Sequence, residues 1–332
     1  MWTNPNSYKK LLSALCLCVI ASNAIAKERI LIVDSYDAGM FWVKEYKKQL
    51  TRHLGTTYDL PSFSLDTKRL PAERHGAMAE KAWDYYLQLH PKLVILADDP
   101  ALQWLGKRIS NHGTAVIYLG INNRPDAYFK LSEVSNITGV LERPALAKNI
   151  FLAKKLLPKA KNALILFDES ITAQIIRQEN FKASNSITID NIKVDIKLLS
   201  NWQQWQTYLK SAAKQYDFIL VGLYHSVYDN DGKHVPSESV IRFLSKHSTV
   251  PLFGFWDFAI AKDKAMGGLT ISSKAQGELA AEMALAVLDG KKPESISPEI
   301  TTEGQLLFSR YQLKRFNLTL PEAWQKDTQY VD

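Results

Sequence analysis

The chain has 332 residues, 46% of them apolar, and its 41 basic against 34 acidic side chains leave a formal net charge of +7. Length and apolar content together are enough for two lobes of ordinary size, each with its own core. No run of lysine and arginine exceeds two residues, so the mild basicity reads as a solvated surface and excludes the clustered footprint of a nucleic-acid binder.

The first predicted element is a leader. Lys9 and Lys10 precede an apolar run from Leu11 to Ala21, and Ala24-Ile25-Ala26 puts small residues at the two positions a signal peptidase reads. This predicts export to the periplasm with cleavage after Ala26. The run is too short to span a bilayer, and no other stretch approaches ~20 uninterrupted apolar residues, so the released chain is expected to be soluble. Removal of residues 1–26 takes Lys9 and Lys10 and no acid, which lowers the net charge to +5 over 306 residues. Cys16 and Cys18 leave with the leader, so the released chain has no disulfide, thiol nucleophile or cysteine metal ligand. Leu15 and Leu17 stand where lipid attachment wants a small residue, which ranks a lipoprotein second.

Strand-like apolar runs then alternate with helical patterns, the signature of parallel βαβ units. The first half offers a strand at Arg29–Asp34, a helix near Met40–His53, an extended piece near Thr57–Phe63 and a helix near Ala72–Leu89. Strands at Lys92–Ala97 and Ala115–Leu119 flank a short helix expected to begin at Pro100, with Asp99 placed to cap it. After a strand at Ile137–Leu141 the pattern restarts with helices at Pro144–Leu157, Ile171–Ala183 and Trp202–Lys214, and strands at Asn162–Phe167, Ile192–Leu198 and Asp217–Gly222. A helix near Ser237–Lys246 leads to a strand Pro251–Phe255 that ends at Trp256-Asp257, and Met266–Ile271 reads as one more strand. Ser273 and Gln276 read as a capping box for the helix that follows, with Leu279, Met283 and Val287 as its buried stripe and Gly290 with Pro293 as its stop. The fold class is α/β: two Rossmann-like lobes with parallel sheets, divided near Gly139–Glu142 and joined by brief crossing strands.

Ligands of open parallel sheets bind beyond the carboxyl ends of the strands. The residues standing there are Ser35, Tyr36 and Trp42, then Asp98-Asp99, Asn122-Asn123, Asp168-Glu169, Tyr224-His225 and Trp256-Asp257. The set is rich in aromatics and carboxylates. Tyr36 and Trp42 are either core residues or an aromatic wall for a planar, cationic or sugar ligand. Asp99 has a helix to cap, whereas Asp98 has none. Trp256-Asp257 has little evident structural need for its charge, Asn122 offers both a donor and an acceptor, and Glu142 either holds ligand or pairs with Arg143 or another neighbour. Tyr224 and His225 would line the second lobe. Asp229-Asn230-Asp231-Gly232 lacks the alternating oxygen ligands and terminal glutamate of a calcium loop and reads as a tight turn; no metal or other cofactor is expected.

The motifs Val33-Asp34-Ser35-Tyr36 with Phe41-Trp42, Asp98-Asp99-Pro100-Ala101, Gly120-Ile121-Asn122, Thr138-Gly139-Val140-Leu141-Glu142, Phe253-Gly254-Phe255-Trp256-Asp257 and Gly290-Lys291-Lys292-Pro293, in that order, resemble the ABC-transporter substrate-binding proteins of the type I periplasmic-binding fold. The branch most similar also occurs as the sensing domain of membrane-bound signalling proteins, and Tyr311–Pro321 resembles that family's C-terminal segment. The resemblance implies a ligand cleft between two lobes that close like a hinge. By the same analogy residues 27–141 plus 273–303 form the first lobe and residues 142–272 plus 304–332 the second.

Carboxylates beside aromatics favour a ligand bearing an amine or many hydroxyls: an amino acid, an aromatic amine or a small sugar. The ligand-binding candidates are Ser35, Tyr36, Trp42, Asp98, Asp99, Asn122, Glu142, Tyr224, Trp256 and Asp257, with Ser35, Asn122, backbone amides or Arg124 available for a ligand carboxylate. The expected partner is an inner-membrane ABC permease or, alternatively, a membrane sensor to which a soluble sensory subunit presents its ligand-bound form. No nucleophile elbow, phosphate-cradling glycine loop or His-Glu-x-x-His motif occurs, so an enzyme is not expected; a secreted hydrolase assembled from scattered Asp, Glu and His is the residual alternative.

Overall fold

Strand β1 (Ile30–Asp34) is buried along its whole length, as a central strand of a sheet covered on both faces must be. Its side chains alternate: Ile30 and Ile32 join one apolar cluster with Val43, Tyr46 and Leu50 of helix α1 (Phe41–Leu54), while Leu31 and Val33 join another with Ala82 and Tyr86 of α2 (His75–Leu89). The computed structural model describes residues 27–130, 133–182, 184–212, 214–301 and 304–332. The leader, with Cys16 and Cys18, lies outside the described residues. Among those described, no helix is long and apolar enough to cross a membrane.

The first sheet adds β2 (Ser62–Ser64), β3 (Leu93–Ala97), β4 (Ala115–Ile121), β5 (Ile137–Leu141) and, much later, β12 (Glu299–Ile300), in the order β12-β5-β4-β3-β1-β2 and parallel throughout. Between β3 and β4 run α3 (Asp98–Ala101), a π-turn (Leu102–Gly106) and α4 (Lys107–Asn111).

The second sheet is built from β6 (Asn162–Phe167), β7 (Ser186–Ile189), β8 (Ile192–Leu198), β9 (Phe218–Val221), β10 (Leu252–Gly254), β11 (Gly267–Thr270), β13 (Gln305–Phe308) and β14 (Gln329–Tyr330), in the order β14-β13-β11-β10-β9-β6-β8-β7. Only β7·β8 and β11·β13 are antiparallel. Helices α5 (Leu146–Leu156), α6 (Ile171–Phe181), α7 (Trp202–Ala212) and α8 (Ser237–His247) accompany this sheet, and α10 (Arg310–Arg315) and α11 (Glu322–Gln325) close the chain. The β7–β8 hairpin is absent from the sequence reading. It turns on Asp190-Asn191, both at positive φ (48° and 60°), the conformation a two-residue primed turn needs.

The chain passes between the sheets three times: after β5, after β11, and between β12 and β13. The second crossing delivers α9 (Ser273–Leu288) back to the first sheet, where it packs on α1 and β4. That contact is tight: a Cβ on Gly277 would lie 2.5 Å from the Tyr46 carbonyl oxygen. The buried face of α9 is Gly277, Ala280, Ala281, Met283 and Ala284, whereas Leu279 and Val287 are only half-buried, because small residues let two helices approach closely.

Two capping expectations are corrected. The N-cap of α9 is Ser272, whose hydroxyl accepts from Ala275 N, and Gln276 instead reaches the first sheet, accepting from Gly120 N at 2.9 Å and donating to Leu141 O. Asp99 is no cap either: α3 starts at Asp98, and the Asp99 carboxylate accepts from the amides of Asn122 and Asn123 and the hydroxyl of Tyr128.

Candidate ligand-binding site

The carboxyl ends of β1, β3, β4 and β5 face those of β6, β9 and β10, and the side chains there enclose a cavity of about 10 Å³, room for no more than one water molecule. Tyr36, Met40, Trp42, Lys68, Asp98, Asn122 and Glu142 approach from the first-sheet side; Thr172, Leu223, Trp256 and Phe258 approach from the second. A groove of about 500 Å³, bordered by Thr67–Glu73 and by Glu169–Thr172, Ser226 and Tyr228, leads outward from Tyr36 and Lys68.

Each wall residue is set by the turn that follows its strand. Ser35 closes β1: its hydroxyl donates to Ala97 O at 2.6 Å and accepts from Ala101 N at 2.8 Å, which joins the ends of β1 and β3 and aims the next residue, Tyr36, across the cleft. The Tyr36 hydroxyl meets Thr172 Oγ1 at 3.0 Å, a hydrogen bond between the two halves of the molecule. Asp98 sits at φ 69°, an unusual backbone for a residue with a side chain, and its carboxylate accepts from the Trp42 indole N–H at 3.3 Å. The Asp99 bonds and Arg143, which donates to the carbonyls of Ile121, Asn122, Asn123 and Glu142, hold the loop that carries Asn122. Glu142 accepts from the Trp256 indole N–H at 2.7 Å. Trp256 in turn stacks on Phe258, ring centroids 5.9 Å apart.

The charges are buried. Desolvation, then repulsion from Glu142, lifts the Asp98 carboxyl well above its ordinary range. Burial likewise pushes the Glu142 carboxyl up to about 8 against the Trp256 hydrogen bond, and it depresses the Lys68 ammonium. Lys68 is 4% exposed and Asn122 5% exposed, and Lys68 Nζ and Asn122 Oδ1 have no hydrogen-bond partner among the described residues. Lys68 Nζ lies 4.5 Å from the Tyr36 ring centroid.

Of the ten candidates, the structure brings Tyr36, Trp42, Asp98, Asn122, Glu142 and Trp256 to the cavity wall and leaves four elsewhere. Ser35 spends its hydroxyl on backbone groups of its own half of the molecule, and Asp99 spends its carboxylate on two loop amides and the Tyr128 hydroxyl there. Tyr224 is buried against His225 and Phe258, its ring stacked on that of His225 at 4.6 Å. Asp257 accepts from Ser273 N and Oγ and from Phe258 N, so its charge serves the start of α9. Glu142 forms no ion pair with Arg143; its partner is Trp256.

Sequence reasoning missed Lys68, Thr172 and Phe258. Lys68 follows the carboxyl end of β2, so the strand-end rule that identified the others also covers it; a three-residue edge strand simply gives little apolar signal. Asp168, at the end of β6, is a framework residue: it accepts from Ser170 N and Oγ and from the amides of His225 and Ser226. The loop at Asp229 is a tight turn in which that carboxylate accepts from Asp231 N and Lys233 N. No cluster of potential metal ligands occurs among the described residues.

Residues 127–331 match the family described as ABC transporter substrate binding protein. No curated protein sequence matches the chain. Among solved structures, an ABC domain from Streptococcus pneumonia in complex with L-Trp superposes with a TM-score of 0.70 at 16% identity, covering 92% of this chain and 99% of its own. A conserved domain protein from Vibrio cholerae gives 0.67 at 15% identity, and the ligand-free, open structure of a substrate-binding protein with adhesive properties from Clostridium difficile gives 0.62 at 15%, each over 92% of this chain and 99% of the other. At these identities the likeness is one of fold: two α/β lobes of the periplasmic-binding type.

Proposed function

This chain belongs to the ABC transporter substrate-binding proteins, and we propose that it works in the periplasm, closing its two lobes on a small amine-bearing organic molecule, polar or aromatic, and presenting the closed form to an inner-membrane ABC permease. By family it is a binding protein, not an enzyme. The observation that carries the ligand reading is the wall itself: four aromatic rings, Tyr36, Trp42, Trp256 and Phe258, beside two buried carboxylates, Asp98 and Glu142. Aromatic faces stack on planar or cationic groups, and a buried carboxylate is relieved by a ligand cation. Among proteins of this fold, the Streptococcus pneumonia domain is in complex with L-Trp and a carbohydrate-transporter binding protein from Agrobacterium radiobacter with D-arabinose.

The cavity admits nothing larger than water while the lobes touch, so a ligand is taken up with the lobes apart and then holds them together, a shift of population driven by contacts made only when both lobes reach it. The crossings after β5, after β11 and between β12 and β13 would serve as hinge, with residues 27–141 plus 273–303 moving against 142–272 plus 304–332.

A thermal-shift screen of the exported protein against amino acids, amines, sugars and nucleosides tests this, because a ligand that binds only the folded state raises Tm. The expected result is a stabilising ligand whose effect disappears in Trp256→Ala. A ligand that stabilises that variant as strongly as the wild type would place the site elsewhere. Cell fractionation tests the location: the mature protein, lacking residues 1–26, is expected in the periplasmic fraction.

A further inference from the structure

Lys68 is a lysine held where lysines are seldom found. The segment that carries it is anchored: Thr67 donates to Ser35 O through both N at 2.9 Å and Oγ1 at 3.0 Å, Tyr228 of the opposite lobe donates to Lys68 O at 3.0 Å, and Arg69 turns outward to grip Asp66 with Nε and Nη2. Lys68 is therefore turned inward by its neighbours' bonds. Its ammonium finds no carboxylate within ion-pair distance among the described residues. Of the acids around it, Asp168 is taken by Ser170, His225 and Ser226 and Glu142 by Trp256, while Asp98 gives Oδ2 alone to Trp42. The Ser226 hydroxyl, which borders the same groove as Lys68, is likewise without a partner among the described residues.

We propose that Lys68 selects the charge of the ligand: its ammonium, aided by Ser226, receives a carboxylate, while Asp98 and the Asn122 carboxamide oxygen receive an amine, so the ligand is a zwitterionic α-amino acid with a planar side chain between the aromatic rings. This rests on the cleft being the ligand site. A buried lone charge is strongly unfavourable unless it is paired, and a sugar hydroxyl would satisfy the donor without neutralising it. Lys68, Asp98 and Asn122 line the same cavity, so a ligand carrying both signs offers the ammonium and the carboxyl group a partner each. A simple amine would leave Lys68 uncompensated beside a second cation.

The test is calorimetry and thermal shift on the wild type, Lys68→Met, Lys68→Arg and Trp256→Ala, with L-tryptophan, L-tyrosine and L-phenylalanine, the decarboxylated amines tryptamine, tyramine and phenethylamine, and D-ribose and adenosine as probes. In the wild type an aromatic amino acid is expected to bind about 100-fold more tightly than its amine, since a site built to pair a group rejects the analogue that lacks it. Lys68→Met should erase that ratio, with Lys68→Arg restoring part of it. An amine that binds the wild type as well as its amino acid, or a Lys68→Met protein that keeps the preference, overturns the proposal. If only a sugar or nucleoside binds, and does so through Trp256, the charge selection is wrong while the cleft reading stands. If no probe binds, both fall.

Discussion

The indole N–H of Trp256 donates to the Glu142 carboxylate at 2.7 Å, and this one bond ties together two of the three segments that cross between the lobes. Glu142 follows β5 at the first crossing, and Trp256 pairs with Ile271 at the second. Trp256→Phe keeps most of the ring and removes the donor. Above a pH of about 8, where Glu142 is ionised, the variant is expected to lose about 1–3 kcal/mol, the usual cost of stranding a buried acceptor; at lower pH the protonated acid tolerates the loss and the cost shrinks. Urea unfolding at the two pH values measures it, and an equal loss at both would deny the bond its charge-assisted character.

Tyr36 and Thr172 meet across the cleft at 3.0 Å. Tyr36→Phe deletes that bond and retains the ring beneath Lys68. Removing about 1 kcal/mol from an interlobe contact should raise the open fraction several-fold with little change in unfolding free energy. Solution scattering of the ligand-free variant should show a larger mean radius of gyration than the wild type; identical curves would mean that this bond has no part in holding the lobes closed.

Asp257 serves α9. Its carboxylate takes the amide and hydroxyl of Ser273 in the first turn of that helix, so Asp257→Ala should destabilise the protein by about 0.5–2 kcal/mol, as loss of a helix cap does, while ligand-induced stabilisation survives. A variant of unchanged stability that no longer responds to ligand would reverse the assignment.

Stability should fall as pH rises across the range in which the buried acids titrate. Glu142, pushed from 4.5 to about 8, and Asp257, pushed from 3.8 to about 6, bind more protons folded than unfolded between those values, so their contribution is full below the lower value and lost through the upper. Asp98 and Asp99 act in the same sense, whereas Lys68, depressed by burial, acts in the opposite one. Glu142 faces Trp256, Asn122, Asp99 and Lys68, all of which remain in Glu142→Gln. The wild type is expected to lose more Tm than Glu142→Gln between pH about 5 and about 8; parallel curves would show that Glu142 ionises normally in the fold.

The parallel strands were legible from their patterning: Asn162–Phe167 and Ile137–Leu141 are nearly continuous apolar runs, as strands covered on both faces are, while Ile192–Leu198 alternates apolar with charged residues because only one of its faces is buried, and the structure has strands with those bounds. β7, a short edge strand, carries no such run, and β2 was read only as an extended piece near Thr57–Phe63, without the strand end past which Lys68 stands. Five of the six wall residues were found by asking what stands past a strand's carboxyl end, and Glu142 came from the motif that ends β5. That question cannot tell Asp98 from Asp99, adjacent residues whose carboxylates part company only because Asp98 takes a positive φ and turns to Trp42, while Asp99 meets two loop amides.

The order of apolar runs, helix stops and strand ends along the chain thus determined the two-lobed α/β fold and the edge from which a ligand is held, because periodicity and burial are local properties. Which acids are free for a ligand and which are consumed by backbone amides, that Lys68 points inward, and that Tyr36 finds Thr172 136 positions away were decided only by tertiary structure. Hydrogen-bond satisfaction depends on who the neighbours are in space, and the pairing of one lobe's strand ends with the other's is written in no single stretch of the chain.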